Sequence, residues 1–198
     1  MPKKLARWPA WAEKALQGVA FWIGHRRCLY RDYPLSEGAL VAEICNLIHA
    51  NLGANEYLLC EVMYTKLLEG KAYPAELTAR ARADLVIATA KTLDEDASAA
   101  KFIIEVKRYK AGKAQIDSDL KRLAAVRRTH GKIRAFMFVI SEAELPPRFV
   151  SSEGKSILGK HPIDGGPSHF RVRRTLKAAH AFNVRTTAQY ACLIEVYP

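Results

Sequence analysis

Long apolar runs are missing from this chain of 198 residues. Nothing in it approaches the roughly 20 consecutive apolar residues of a membrane-spanning helix. The N-terminal stretch Met1-Pro2-Lys3-Lys4-Leu5-Ala6-Arg7 lacks the apolar core of a signal peptide, so a cytoplasmic location is expected. Cysteine is scarce: Cys28, Cys45, Cys60 and Cys192 are the four present, and none forms a C-x-x-C pair. That spacing argues against structural zinc. Cys45 and Cys60 lie in apolar runs, where cysteine behaves as a small hydrophobe, so buried, reduced thiols in a reducing compartment are expected. The phosphate-cradling G-x-x-x-x-G-K-[ST] and the dinucleotide-binding G-x-G-x-x-G are both absent. The histidines (His25, His49, His130, His161, His169, His180) form no H-E-x-x-H, and Ser151-Ser152 has no nucleophile elbow around it. Internal repeats and low-complexity tracts are lacking too.

Acid is in deficit. Lys and Arg number 31 against 20 Asp and Glu, a formal net charge of +11. Such an excess attracts polyanions, and nucleic acid is the first candidate because each neutralised phosphate releases a counterion. An anionic membrane surface is the weaker alternative. With 49% hydrophobic and 26% charged residues, the composition is that of an ordinary globular domain. One domain over 1–198 is expected. It would consist of a basic, aromatic extension (1–34), a core (35–140) and a C-terminal elaboration (141–198).

In the extension, Trp8, Trp11, Phe21 and Trp22 alternate with Lys3, Lys4, Arg7, Lys14, Arg26, Arg27 and Arg31. Pro9 fits the first turn of a helix running to about Ile23, with Gly24 as its stop. The tryptophans would pack this helix on the core, although an arm that stacks on bases has the same composition. Asp32-Tyr33-Pro34 is a break. Ser36 can cap a helix over 37–52, in which Leu40, Val41, Ile44, Leu47 and Ile48 form one apolar face. Strands are expected over 56–64, 83–88 and 102–107, then a helix over 115–129 and a strand over 133–140 that looks buried on both faces. Residues 141–169 read as loop, and 170–176 and 189–197 as closing strands.

One constellation stands out. Asp84 opens a strand, and the next strand carries Glu105-Val106-Lys107. Residues two apart in a strand share a face, so Glu105 and Lys107 project together while Phe102, Ile104 and Val106 face apolar packing. Pairing of the two strands would set Asp84 beside Glu105. Adjacent carboxylates repel unless a cation lies between them, and oxygen ligands suit Mg²⁺, with Mn²⁺ able to substitute. Such a metal lowers the pKa of a bound water and polarises a phosphoryl oxygen, and a neighbouring Lys can orient the attacking water. The bland alternative is a same-face Glu105–Lys107 ion pair, with Asp84 as a turn residue.

Ala83-Asp84, Glu105-Val106-Lys107 and the helix–three strands–helix–strand order over about 35–140 resemble the PD-(D/E)XK (restriction-endonuclease-like) nuclease superfamily. Ala83 stands where the motif has its leading Pro, a position that varies in the superfamily. The resemblance implies an α/β fold with an αβββαβ core. Its central mixed sheet would be flanked by helices, with N-terminal helical and C-terminal β additions. It also implies Mg²⁺-dependent cleavage of nucleic acid, DNA above all, with Asp84, Glu105 and Lys107 as the catalytic set. Members often add a glutamate from the first helix as a further metal ligand. Glu37 is preferred for that role over Glu43, although the helix dipole also favours Glu37 where it stands. The helix after the motif often adds a polar residue, for which Gln115 is the choice; a solvated helix start explains it equally. Arg108, Lys110 and Lys113 could bind phosphates or be a solvated basic loop. A homodimer is a candidate assembly, because members that cut both strands often dimerise. Two alternatives stay open: a module of this fold that binds nucleic acid without cutting it, and an effector or toxin nuclease paired with an inhibitor protein.

Overall fold

The computed structural model describes residues 8–30, 33, 35–94, 97–142, 144–178 and 189–198. Lys3, Lys4, Arg7, Arg31, Asp32, Pro34 and His180 lie outside them. In chain order the elements are α1 (Ala10–Leu29), α2 (Glu37–His49), β1 (Tyr57–Met63), α3 (Tyr64–Leu67), β2 (Arg82–Ala88), β3 (Ala100–Arg108), α4 (Lys113–Thr129), β4 (Arg134–Ser141), β5 (His161–Pro162), β6 (His169–Lys177) and β7 (Tyr190–Tyr197).

The strands make one seven-stranded mixed sheet in the order β1-β2-β3-β4-β7-β6-β5. Among the described strands only β3 and β4 run parallel, which requires the crossover that α4 supplies; every other pair is antiparallel. Period-2 alternation divides the strand residues between two apolar layers. Leu85, Ile87, Ile104, Val106, Phe136, Phe138 and Leu193 pack with α1 and α2. Val86, Ile103, Met137, Val139, Cys192 and Ile194 pack with α3 and α4. The result is an α/β fold with helices on both faces of the sheet. No helix among the described residues is long and apolar enough to cross a membrane.

Gly24 does not end α1, which continues to Leu29. An internal glycine costs about 1 kcal/mol relative to alanine. That cost is small beside the buried face of Trp11, Leu16, Val19 and Ile23, and Arg26 and Arg27 complement the dipole in the last turn. The thiols are not uniformly buried either. Cys192 is, but Cys60 is exposed on the edge strand β1 and Cys45, on α2, is half-buried. Trp11 meets Phe102 and Phe136 edge-on, with ring centroids 5.5 and 5.7 Å apart, and so fastens α1 to the sheet. Gly18 on α1 lies close against α2: a Cβ there would stand 2.4 Å from Leu47 Cδ2. Ser36 caps α2 by accepting the Ala39 N–H at 3.1 Å, which fixes Glu37 in the first helical turn.

Candidate active site

The site forms where the β2–β3 ladder ends. Pairing runs from Ala88↔Ala100 to Leu85↔Ile104. Just past it, the Val106 N–H donates to Asp84 Oδ2 at 2.7 Å in place of a backbone carbonyl. That bond turns the Asp84 carboxylate toward β3, where it interacts directly with the Glu105 side chain.

Glu105 is only 2% exposed. Burial first, and then the Asp84 charge, push its pKa up to about 8, against the lowering effects of the Tyr64 hydroxyl and Arg122. Tyr64, itself fully buried, donates its phenolic proton to Glu105 Oε1. Burial and the Glu105 charge hold that phenol well above its usual pKa, so it stays a donor.

Lys107 sits two residues further along β3. Its Nζ is 2.8 Å from Glu37 Oε1 and 3.2 Å from Asp119 Oδ2, with only 13% of its side chain exposed. Asp119, on the inner face of α4, also pairs with Arg122 one turn on. Glu37 thus lies on Lys107 rather than on the Asp84–Glu105 pair, and Glu43 is half-buried elsewhere on α2. Gln115 is exposed at the start of α4 and takes no part in the cluster. Arg108 is engaged by Glu142 at 3.0 Å, whereas Lys110 and Lys113 are exposed. Motif spacing does not reveal Tyr64, Asp119 or Arg122. Asp119 did carry one signal, an acid at helical spacing among Ile116, Leu120 and Leu123, where an unpaired charge is costly.

The charge balance shows what the cluster lacks. Four acids (Glu37, Asp84, Glu105, Asp119) face two bases (Lys107, Arg122), so with every group ionised two negative charges are uncompensated. Among the described residues no group of three or more His, Cys, Asp or Glu side chains is arranged to hold a metal ion. The two carboxylates of the cluster that interact directly with each other are Asp84 and Glu105. That pair fits Mg²⁺, which usually takes one or two carboxylates and completes its shell with water and substrate phosphate. A dication would cancel the excess charge and remove the reason for Glu105 to hold a proton.

Compared with protein-family models, with curated proteins and with solved structures, the chain matches none of them.

Proposed function

We propose that this protein is a Mg²⁺-dependent nuclease of the PD-(D/E)XK type, hydrolysing phosphodiester bonds of nucleic acid, DNA first. In this reading α2-β1-β2-β3-α4-β4 is a restriction-endonuclease-like core, with α1 added before it and β5–β7 after. The carrying observation is the side-by-side placement of Asp84 and Glu105 on neighbouring strands, with Lys107 next along β3.

Asp84 and Glu105 would hold the metal, which when bound supplies Lewis-acid polarisation of the phosphate and a more acidic water. The Val106 N–H orients Asp84, and the Tyr64 hydroxyl orients Glu105. Glu37 and Asp119 hold the Lys107 ammonium in one place, ready to steer a water and to offset phosphate charge. The +11 charge would draw the polyanion to the surface.

The test is cleavage of plasmid and linear DNA with Mg²⁺, for wild type and Lys107→Ala, with EDTA as control. Wild type should cut only with the metal, and the variant should lose at least about 100-fold in rate. Equal rates for the two proteins defeat the assignment, as does salt-sensitive binding with no hydrolysis of any DNA or RNA.

A further inference from the structure

A cavity of about 600 Å³ opens where β3 gives way to α4. Its volume lies within the roughly 300–1,000 Å³ range of small-molecule sites. It is lined by Tyr109 and Lys110, from the turn after Lys107 and Arg108, by Lys113 and Ile116 of α4, and by Glu144 and Arg148. The cavity therefore begins two residues past the candidate catalytic lysine.

The less exposed end of the lining (Tyr109, Ile116, Glu144, Arg148) and the exposed end (Lys110, Lys113) differ chemically. At the first, Arg148 is fixed by an ion pair of 2.5 Å to Asp117, which is only 7% exposed, and lies over Phe149 and Phe170. Its Nη1 is buried without a hydrogen-bond partner. Tyr109 packs edge-on against Phe149, and the charges of Glu144 and Arg148 both act on its hydroxyl. This end offers an aromatic ring, an aliphatic side chain, a carboxylate acceptor and a cationic donor. At the other end Lys110 and Lys113 are exposed ammonium groups. Lys113 pairs with Asp164 at 3.8 Å, but both side chains are largely exposed and the pair holds it weakly. An inorganic anion would have no use for the aromatic end, and an apolar ligand none for the lysines.

We infer that this cavity takes one unpaired nucleotide of the strand being cut. The base enters against Tyr109 and Ile116 with an exocyclic amino group toward Glu144, and the phosphate lies on Lys110 and Lys113. The inference rests on the nuclease reading for its place beside the scissile bond. A base inside a duplex cannot enter without leaving its stack, so substrates with an extrahelical or single-stranded nucleotide are favoured.

Binding and cleavage are measured separately. In EDTA, dAMP, deoxyadenosine and inorganic phosphate are each titrated into the full chain and followed by NMR. The protein is wild type, Tyr109→Ala, or Lys110→Ala combined with Lys113→Ala. dAMP should bind roughly tenfold more tightly than either fragment. The lysine double variant, altered only at exposed positions, should lose that advantage while keeping its deoxyadenosine affinity; Tyr109→Ala should weaken both. With Mg²⁺, a duplex carrying one bulged adenosine should be cut roughly tenfold faster than its fully paired counterpart. Equal binding of dAMP and phosphate overturns the inference, as does equal cutting of the two duplexes. Cleavage without dAMP binding removes the pocket and leaves the nuclease standing. dAMP binding without cleavage of any substrate removes the nuclease and leaves a nucleotide site.

Discussion

Replacing Glu105 by Gln should stabilise the metal-free protein at neutral pH, and the size of the effect follows from the site. The folded chain keeps a proton on Glu105 up to about pH 8, whereas an ordinary glutamate loses it near 4.5. Between those values the native state binds one more proton than the unfolded state, so stability falls as pH rises through that window. At about 1.4 kcal/mol per unit, the penalty at pH 7.5 is on the order of 4 kcal/mol. Glutamine keeps the volume. Its amide oxygen can accept from Tyr64 and its NH₂ can donate to Asp84, so the polar groups stay satisfied. A gain of about 2–4 kcal/mol is expected, or roughly 5–15 °C in melting temperature for a chain of this length. Thermal melts of both proteins in EDTA, from pH 4.5 to 8.5, provide the assay. Wild type should lose stability across the range while Glu105→Gln stays flatter, the curves separating as pH rises. Parallel curves, or a variant less stable than wild type at pH 7.5, refute the assignment of the buried charge to Glu105. Mg²⁺ should reverse the order, raising wild type and leaving the variant unmoved.

Other parts of the structure give sharp expectations. Glu61 stands across β1–β2 from Asp84 at φ 55°, a left-handed conformation that costs a non-glycine residue about 1 kcal/mol or more. Glu61→Gly should therefore raise the melting temperature or leave it unchanged; a clear drop means the side chain holds something in place. Asp119→Asn strips a buried charge that bridges Lys107 and Arg122 and should cost about 1–3 kcal/mol in urea unfolding. It should also slow Mg²⁺-dependent cleavage at least about tenfold, since Lys107 loses an anchor; an unchanged rate argues against the positioning role. Trp11→Ala should cost about 3–5 kcal/mol by the same assay, because the indole fills the space between α1, Phe102 and Phe136. A loss below about 1 kcal/mol would show that α1 is not fastened there.

Much of the core was legible because its signals are local. Ser36 and the apolar spacing of 40–48 mark α2; the β-branched run around Ile103 marks β3; Ile116, Leu120 and Leu123 mark α4. The i, i+2 relation of Glu105 and Lys107 is likewise a property of one strand. Tyr64 was read as the end of a strand, but it opens the short helix α3 and reaches Glu105, 41 residues on, only through the packing of α3 beneath the sheet. Glu37 and Lys107 meet across 70 residues, so the resemblance that singled out Glu37 as a first-helix glutamate could not say that it would hold the lysine. The insertion of β7 between β4 and β6 is non-local in the same way: period-2 alternation identifies a strand but not its neighbours. The side chains that set the electrostatics of the site come from five separate elements, α2, α3, β2, β3 and α4, and no local pattern ties those elements together.

The most direct measurement of the central claim is anomalous diffraction from crystals of the protein soaked in Mn²⁺. The account predicts a peak between the Asp84 and Glu105 carboxylates, with an oxygen of each roughly 2.0–2.3 Å from it. Occupancy there should be lost in Glu105→Gln. Density that avoids the pair in wild type, or a peak that persists unchanged in the variant, would contradict it.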